Sequence, residues 1–584
     1  MMTLKNRCHL LWYNINTLIR RQFSSQLEKN QNYAIVKTLN DPSSMTISLH
    51  YGGIQQSTTR KRDEKLQRCL QRLQNSLQDK IRKTIKAEKK SIAISIDPHV
   101  INNNNPVKLR LMNSSDQQVD GNCLNIDAWI SHHKLYVGQI SCDIILNPAE
   151  VSALSLPRII MTQCTIYPEI RLESCQIHQC QFTWYRSRHH HNQGKRQWIK
   201  VSDQYSYMPT SNDIDCYLKV SCKLPQQNTS EVEVISENPV MTGPSCHLLQ
   251  QRFHYTETVT TNKEIRTVSY NILGESYVGS KYAKRIYRNC PDYALDINYR
   301  QQLLMRELTS YNADLICLQE VSHETFNNRL KYGLQFQGFQ GLWKSRVFDN
   351  NDGLAIFYKT SKFDLISQHD LDLNASIQKD SYQEALLNLI RPYDQLVHEV
   401  LSRSNVLQVA LLRRKECNDQ LICLANTHLY FRPLAEIIRL IQIQAITNHL
   451  SLISKSISDL PVILCGDFNS APSSDTYQFL TNGYCKSQST ADESYLLKDA
   501  ASFEFSHNLT FDALSQTLHC THHTTNFSGT IDYIFGKRGY FNVKNAIPLP
   551  EVTNINANHG LPTTEFPSDH LAVICDISMV HHHQ

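Results

Sequence analysis

The sequence has no uninterrupted apolar run of about 18 residues, so no membrane-spanning helix is expected. It contains no G-x-x-x-x-G-K-[ST] loop and no G-x-G-x-x-G turn, which excludes the two common backbone cradles for nucleotide phosphates. There is no G-x-S-x-G elbow, which argues against a serine hydrolase of the α/β type. The 18 cysteines are scattered, and no C-x-x-C pair recurs at zinc-ribbon spacing. Excess charge is scarce as well. A net charge of +5 over 584 residues allows a phosphate-bearing partner without demanding one.

One local absence is informative. No acid precedes Glu28, while Lys5, Arg7, Arg20 and Arg21 do. Leu4, Leu11, Ile15, Leu18 and Ile19 fit one apolar helix face, and Arg21-Gln22-Phe23-Ser24 has the character of a matrix-peptidase site. This is the pattern of a mitochondrial presequence over residues 1–23, so a matrix location and mostly free thiols are expected. The alternative is a plain tail.

What is present reads as globular: 41% hydrophobic and 19% charged residues, with length for two or three domains. Residues 24–90 form a polar segment followed by a basic amphipathic helix. From Arg60 to Lys90 there are 12 Lys or Arg against 4 acids. Leu66, Leu70, Leu73, Leu77, Ile81 and Ile85 recur at steps of three and four. The outer face suits an RNA backbone, but a solvated helix packed by its Leu stripe is the plainer reading.

Residues 91–250 read as a β-rich accessory domain, with alternating runs S-I-A-I-S-I, L-Y-V-G-Q-I and C-Y-L-K-V-S-C. They suggest an immunoglobulin-like sandwich with Trp184 in its core and a corner at Asp213–Tyr217. Cys175, Cys180, Cys216 and Cys222 could hold a metal, although buried thiols are commoner. His189–His191 reads as a loop.

Residues 262–580 alternate strand-like runs with helices near 299–308 and 436–450, an α/β pattern. Polar residues recur where the apolar strands end: Asn271, Glu320, His428, Asp467, Asn469, Asp532, Asp569 and His570. Each alone has the ordinary reading of a turn former or helix cap. Together, at one end of a sheet, they make a ligand site. Carboxylates, amides and water suit a hard ion, Mg²⁺ or Mn²⁺. That set points to attack of water on a phosphate ester. On an extended chain Asp467 and Asn469 face the same way.

Seven stretches occur in order: S-Y-N-I-L, L-I-C-L-Q-E-V, G-L-A-I-F-Y-K, N-T-H-L, G-D-F-N-S, G-T-I-D-Y-I-F and F-P-S-D-H-L. They resemble the motifs of the exonuclease–endonuclease–phosphatase superfamily. N-C-P-D-Y-A-L-D-I-N-Y-R-Q-Q-L-L-M-R-E-L and G-L-P-T-T-E-F-P-S-D-H are similar to its deadenylase branch, in particular to mitochondrial members with an extra N-terminal region. The resemblance implies a two-sheet α/β sandwich preceded by the β-rich domain. It also implies an Mg²⁺-dependent 3′-exoribonuclease acting on poly(A) 3′ ends and on 2′,5′-linked oligoadenylate. Glu320 would hold the metal, with Asn271 beside it orienting water or a phosphate oxygen. Asp467 would activate the water and Asn469 steady the phosphate. His570, oriented by Asp532, would bind a phosphoryl oxygen. Asp569 would bind water or a second metal, and His428 would assist the leaving oxygen. Phe527 and Pro433 would frame the terminal adenine. Phe431-Arg432 stands where the family often has Trp followed by His or Asp, which makes Arg432 a candidate phosphate contact. The rival readings are a nucleotide-cofactor phosphatase of the same fold and a non-catalytic RNA-binding protein.

Overall fold

The computed structural model describes residues 32–38, 43–87, 107–188, 196–225, 231–346, 349–416, 420–488, 502–515, 520–551, 555 and 560–580. The presequence expected over 1–23 and the loop at His189–His191 lie outside them. The chain divides into two compact units. One comprises Met1–Leu156, Pro168–Tyr205 and Leu218–Ser236, the other Pro157–Tyr167, Ser206–Tyr217 and Glu237–Gln584.

In the first unit six strands form one sheet, in the order Ile54–Lys61, Ser44–Tyr51, Tyr33–Lys37, Ile140–Leu146, Lys134–Val137 and Leu109–Met112. Ser44–Tyr51 (S-M-T-I-S-L-H-Y) buries every second residue, Met45, Ile47, Leu49 and Tyr51. A helix, Leu66–Ala87, lays Leu66, Leu73, Leu77 and Ile81 into the same core. One sheet and one long helix fill that core; no second sheet enters it among the described residues. The polar segment over 24–90 thus contributes strands as well as the helix. Three of the six strands come from that segment. Their apolar residues alternate with Ser, Thr and His, so mean polarity conceals the period of two.

Trp184 is fully buried in a separate four-stranded sheet and donates to Gln204 O at 3.0 Å. Asp213 accepts from Tyr207 OH (2.8 Å) and Thr210 N (2.7 Å). The 16 cysteines of the described residues are free thiols.

The second unit is built on two sheets. Its elements are β1 (Glu264–Asn271), α1 (Ile297–Ser310), β2 (Leu315–Gln319), β3 (Phe339–Arg346), β4 (Asp349–Lys359), β5 (Phe363–Gln368), β6 (Val406–Arg414), β7 (Leu421–His428), α2 (Glu436–Ser456), β8 (Val462–Asp467), β9 (Phe511–Ala513), β10 (Asp532–Lys537), β11 (Phe541–Ala546) and β12 (Val573–Met579). The first sheet runs β3-β4-β2-β1-β12-β11 and the second β5-β6-β7-β8-β10-β9. In each, one central pair is parallel, β1 with β2 and β7 with β8.

The two sheets pack face to face. Ile265, Leu315, Cys317 and Val573 of one share a core with Ile422, Leu424, Ile463, Cys465 and Ile534 of the other. The outer faces carry helices. Leu304, Met305 and Leu308 of α1 pack with Val268 and Tyr270, and α2 buries Leu440, Ile441 and Ile443 with Cys423, Ala425 and Leu464. Strands covered on both sides are apolar throughout, which is why L-I-C-L and V-I-L-C read as unbroken runs. The helices span more than expected, Ile297–Ser310 and Glu436–Ser456.

Candidate active site

Alternation along the strands builds the site. Ile422 and Leu424 face the gap between the sheets, so Asn426 and His428 share that face. The same count carries Ile463 and Cys465 on to Asp467, and Leu315 and Cys317 on to Gln319. Ile534 shares its face with Asp532, the first residue of β10. At one end of the sandwich the inner layer thus changes from apolar to polar. Gln319 Nε2 donates to Asn426 Oδ1 (2.8 Å) and closes the floor. A Cβ on Gly466 would collide with Thr427 O, so the parallel β7–β8 pair that delivers Asp467 requires glycine there.

Asn271, at the end of β1, joins two acids. Its Nδ2 donates to Glu320 Oε1 and to Asp467 Oδ2, both at 3.0 Å, and its Oδ1 accepts from Leu273 N at 3.1 Å. The carboxamide is therefore spent on holding acids and backbone rather than left for water. Glu320 follows β2 in the left-handed region (φ 60°), a strained position for glutamate. Its Oε2 accepts from Gly274 N at 2.7 Å. Burial, then Asp352 and Asp569, push its carboxyl up to about 7.

On the opposite side, Asp532 Oδ2 meets His570 Nδ1 at 2.9 Å. His570 Nε2 lies 3.7 Å and His428 Nε2 3.4 Å from Asp467 Oδ2. Burial opposes charge on His570, yet Asp532 and Asp467 raise it well above the ordinary histidine range. His428 goes the other way: burial, with Arg346 and His570 nearby, holds it well below and neutral. A neutral imidazole can donate one N–H to a leaving oxygen, but it brings no positive charge there. Asp467 is pushed up to about 6 by burial and Asp532, against the pull of His570.

Asp569 accepts from Tyr287 OH at 2.6 Å and lies 3.4 Å from His522 Nε2. Burial pushes its carboxyl up, but the His522 hydrogen bond and the charge of His570 overcome that and hold it well below the usual range. The His522 ring also meets the His570 ring edge-on at 4.5 Å and the Phe527 ring at 5.5 Å. Phe527, about half exposed, thereby reaches the site through one histidine.

The extended-chain reading of Asp467 and Asn469 is corrected. Strand β8 ends at Asp467, and Asn469 turns into the left-handed region (φ 50°). Its N donates to Asp467 Oδ1 (3.0 Å) and its Nδ2 to Leu429 O (3.1 Å). A side-chain-to-backbone turn, not strand periodicity, sets the Asp–Asn relation. Pro433 and Arg432 are exposed, and their carbonyls accept from Arg439. Among the described residues no contact joins their side chains to the acids.

Sequence reasoning missed His522, Tyr287, Asp352 with its partner Arg346 (2.5 Å), and the Gln319–Asn426 pair. Only the last had a signal, two polar residues at inner-face positions of apolar strands. The donor set fits a divalent ion on its chemistry. Asp352 and Asp569 lie close enough to raise the cost of ionising Glu320, and the oxygens of all three are hard ligands. Two further groups, Asp467/Asp532/His570 and His522/Asp569/His570, have ligand atoms within 4.8 Å of one another.

A model of the endonuclease/exonuclease/phosphatase family matches residues 268–570, from three residues before Asn271 to His570 itself. The chain belongs to that family. It is a hydrolytic enzyme of the α/β sandwich class. A second model, described as a 2′,5′-phosphodiesterase 12-like N-terminal domain, matches residues 148–238. The chain is 34% identical over 481 residues to 2′,5′-phosphodiesterase 12 of Rattus norvegicus, covering 79% of each protein. It is 33% identical to the Homo sapiens protein of the same name, over 79% of this chain and 78% of that one. It is 29% identical over 359 residues to the CCR4-Not complex 3′-5′-exoribonuclease subunit Ccr4 of Schizosaccharomyces pombe, covering 55% of this chain and 50% of that protein. Among solved structures, the 2′,3′-cyclic phosphatase ANGEL2 aligns over 54% of this chain and 96% of its own, at 24% identity and a TM-score of 0.46.

Proposed function

We propose that the protein is an Mg²⁺-dependent 3′-exoribonuclease that releases 5′-AMP from poly(A) tails and 2′,5′-linked oligoadenylate in the mitochondrial matrix. The observation that carries the reading is the junction at Asp467. One carboxylate oxygen meets Asn271 (3.0 Å), His428 (3.4 Å) and His570 (3.7 Å), with Glu320 on the other side of Asn271. The names of the relatives support the substrate class, and the acid-free basic N-terminus supports the compartment.

Glu320 would hold the ion, with Asp352 and Asp569 in the surrounding field. Bound Mg²⁺ would supply Lewis-acid polarisation of a phosphoryl oxygen. Asp467, ionised at neutral pH and titrating near 6, takes the proton of the attacking water. Asn271 keeps its carboxylate aimed. His570, held cationic by Asp532, donates from Nε2 to a non-bridging oxygen where charge builds up. Neutral His428 donates an N–H on the leaving side. Asn469 fixes the turn that presents Asp467. Phe527 offers a ring to the terminal base, with Pro433 and Arg432 on the exposed segment after β7.

The test is product analysis. Protein lacking residues 1–23 is incubated with Mg²⁺ and 3′,5′-linked A-oligomers, 2′,5′-linked A-oligomers or mixed-base RNA. Stepwise AMP release stopped by EDTA is expected. Release of inorganic phosphate from a nucleotide cofactor instead would make it a phosphatase, and EDTA-insensitive RNA binding without turnover a binding protein. Import of a reporter fused to residues 1–23 tests the compartment.

A further inference from the structure

The charge of this chain is distributed against expectation for a nuclease. Residues 237–584 hold 29 Lys or Arg and 35 Asp or Glu, a net of −6. RNA binding draws much of its free energy from cations that neutralise phosphates, and that segment is short of them. The excess lies elsewhere. Residues 60–83 hold nine Lys or Arg against three acids, a net of +6.

The structure turns that excess into one surface. Burial of Leu66, Cys69, Leu73, Leu77 and Ile81 fixes which side of the helix Leu66–Ala87 meets its core. The other side carries exposed Arg68, Arg72, Arg82 and Lys83, and exposed Lys61 and Lys65 lead into it. From Lys65 to Lys83 the stripe spans about 27 Å of helix rise. Arg72 pairs with Glu64 at 3.4 Å. Among the described residues no ion pair neutralises Lys61, Lys65, Arg68, Arg82 or Lys83. Uncompensated arginines on a rigid helix suit phosphates, which accept from the guanidinium fork.

We infer that this helix face is a binding surface for the backbone of single-stranded RNA, taken up independently of sequence. The inference rests on the RNA reading above and adds a second site to it. It makes affinity depend on RNA length and on salt, while the chemistry at the 3′ end does not.

The experiment separates the two readings by measuring binding in EDTA, without turnover. Fluorescent A20 and the dinucleotide ApA are titrated with the protein and with Arg68→Gln/Arg82→Gln/Lys83→Gln. The triple variant is expected to bind A20 about tenfold more weakly at 0.1 M salt, with a log–log salt slope shallower by about 2. In Mg²⁺ its kcat on ApA is unchanged. Gln71→Lys/Asn75→Lys, at two exposed positions of the same helix, is expected to tighten A20 binding. Unchanged A20 affinity in both variants overturns the inference, as does a loss confined to anionic lipid vesicles. If no oligomer is hydrolysed but A20 binding follows the helix charge, the catalytic reading fails and this one stands.

Discussion

His570 Nδ1 lies 2.9 Å from Asp532 Oδ2, while Nε2 of the same ring faces Asp467 Oδ2 at 3.7 Å. The ring thus has an acid at each nitrogen, and the two have different work. Asp532 is buried at the base of the pair and fixes the proton on Nδ1, whereas Asp467 stands where water and phosphate must come. Asp532→Asn should keep the geometry but lose the charge that holds His570 protonated. The expected result is a fall in kcat of about 10²- to 10⁴-fold with KM nearly unchanged. Its alkaline pH limb should move to lower pH. Steady-state kinetics from pH 6 to 10 decide it, and an unshifted limb would remove Asp532 from this role.

Asp467 gives the acid limb. Burial and Asp532 push its carboxyl up to about 6, and it must be ionised to take a proton from water. Activity should therefore be full above pH 7 and fall as pH drops through about 6. Asp467→Asn should leave a residual rate without that limb. Single-turnover rates between pH 5 and 8 test this, and a limb retained in the variant would assign it to another group.

Metal binding should be visible without substrate. Glu320 is pushed up to about 7 by burial, Asp352 and Asp569, a repulsion that a divalent cation relieves. A ligand that binds only the folded state raises its melting temperature. Mg²⁺ or Mn²⁺ should raise the Tm of the native protein, and EDTA should reverse the rise and abolish hydrolysis. Glu320→Gln should need at least about tenfold more ion for the same shift. Calorimetric scans across an ion titration read this directly, and an equal response from both proteins would place the ion elsewhere.

Phe527 is about half exposed and leans on His522, which in turn meets His570. An aromatic in that position can stack on a base at about 1–3 kcal/mol. Phe527→Ala should raise KM for A-oligomers about 5- to 150-fold and leave the folded state intact, since a half-exposed ring contributes little core. Comparison of A-, C- and U-ended oligomers reads its share in base choice; an unchanged KM would return Phe527 to simple packing.

The members of this site that were legible in the sequence stand at the ends of apolar strands. Asn271, His428, Asp467 and Asp532 follow or open runs whose alternation already sets their direction, whereas Glu320 stands one position past its run and is turned by a left-handed backbone. The α/β character was legible for the same reason, since unbroken apolar runs are strands covered on both faces, whereas the pairing of two sheets face to face was implied only by the family resemblance. His522, Tyr287 and Asp352 left no such mark. Each is a polar residue in a loop or near the turn of a hairpin, and reaches Asp569 or Glu320 only after chain closure. Tyr287 and Asp569 are 282 positions apart. Asn469 shows the converse error: periodicity predicted its direction, but the strand had ended and a local hydrogen bond took over. In the first unit, S-M-T-I-S-L-H-Y hid a strand because Ser, Thr and His lower the mean hydropathy of an otherwise regular alternation.

Glu307 of α1 provides a prediction independent of catalysis. It is 1% exposed and accepts from Tyr311 OH at 2.8 Å and Tyr270 OH at 3.4 Å. Burial raises its carboxyl to about 7, only partly offset by Tyr311, Arg252 and Tyr270. An unfolded glutamate releases its proton near pH 4.3, while the folded one keeps it until about 7. The folded state therefore binds more protons in that window, and stability falls as pH rises from about 4.3 to 7, then levels off. The cost is on the order of 3 kcal/mol at most. Glu307→Gln has no proton to lose, so its Tm should decline less between pH 5 and 8 than that of the native protein. Its absolute Tm at pH 5 is expected to be lower, because an amide N–H replaces the acid O–H among the two tyrosine hydroxyls. Only the difference between the two pH slopes bears on the argument, and equal slopes would show that Glu307 ionises in the folded state as freely as in the unfolded one.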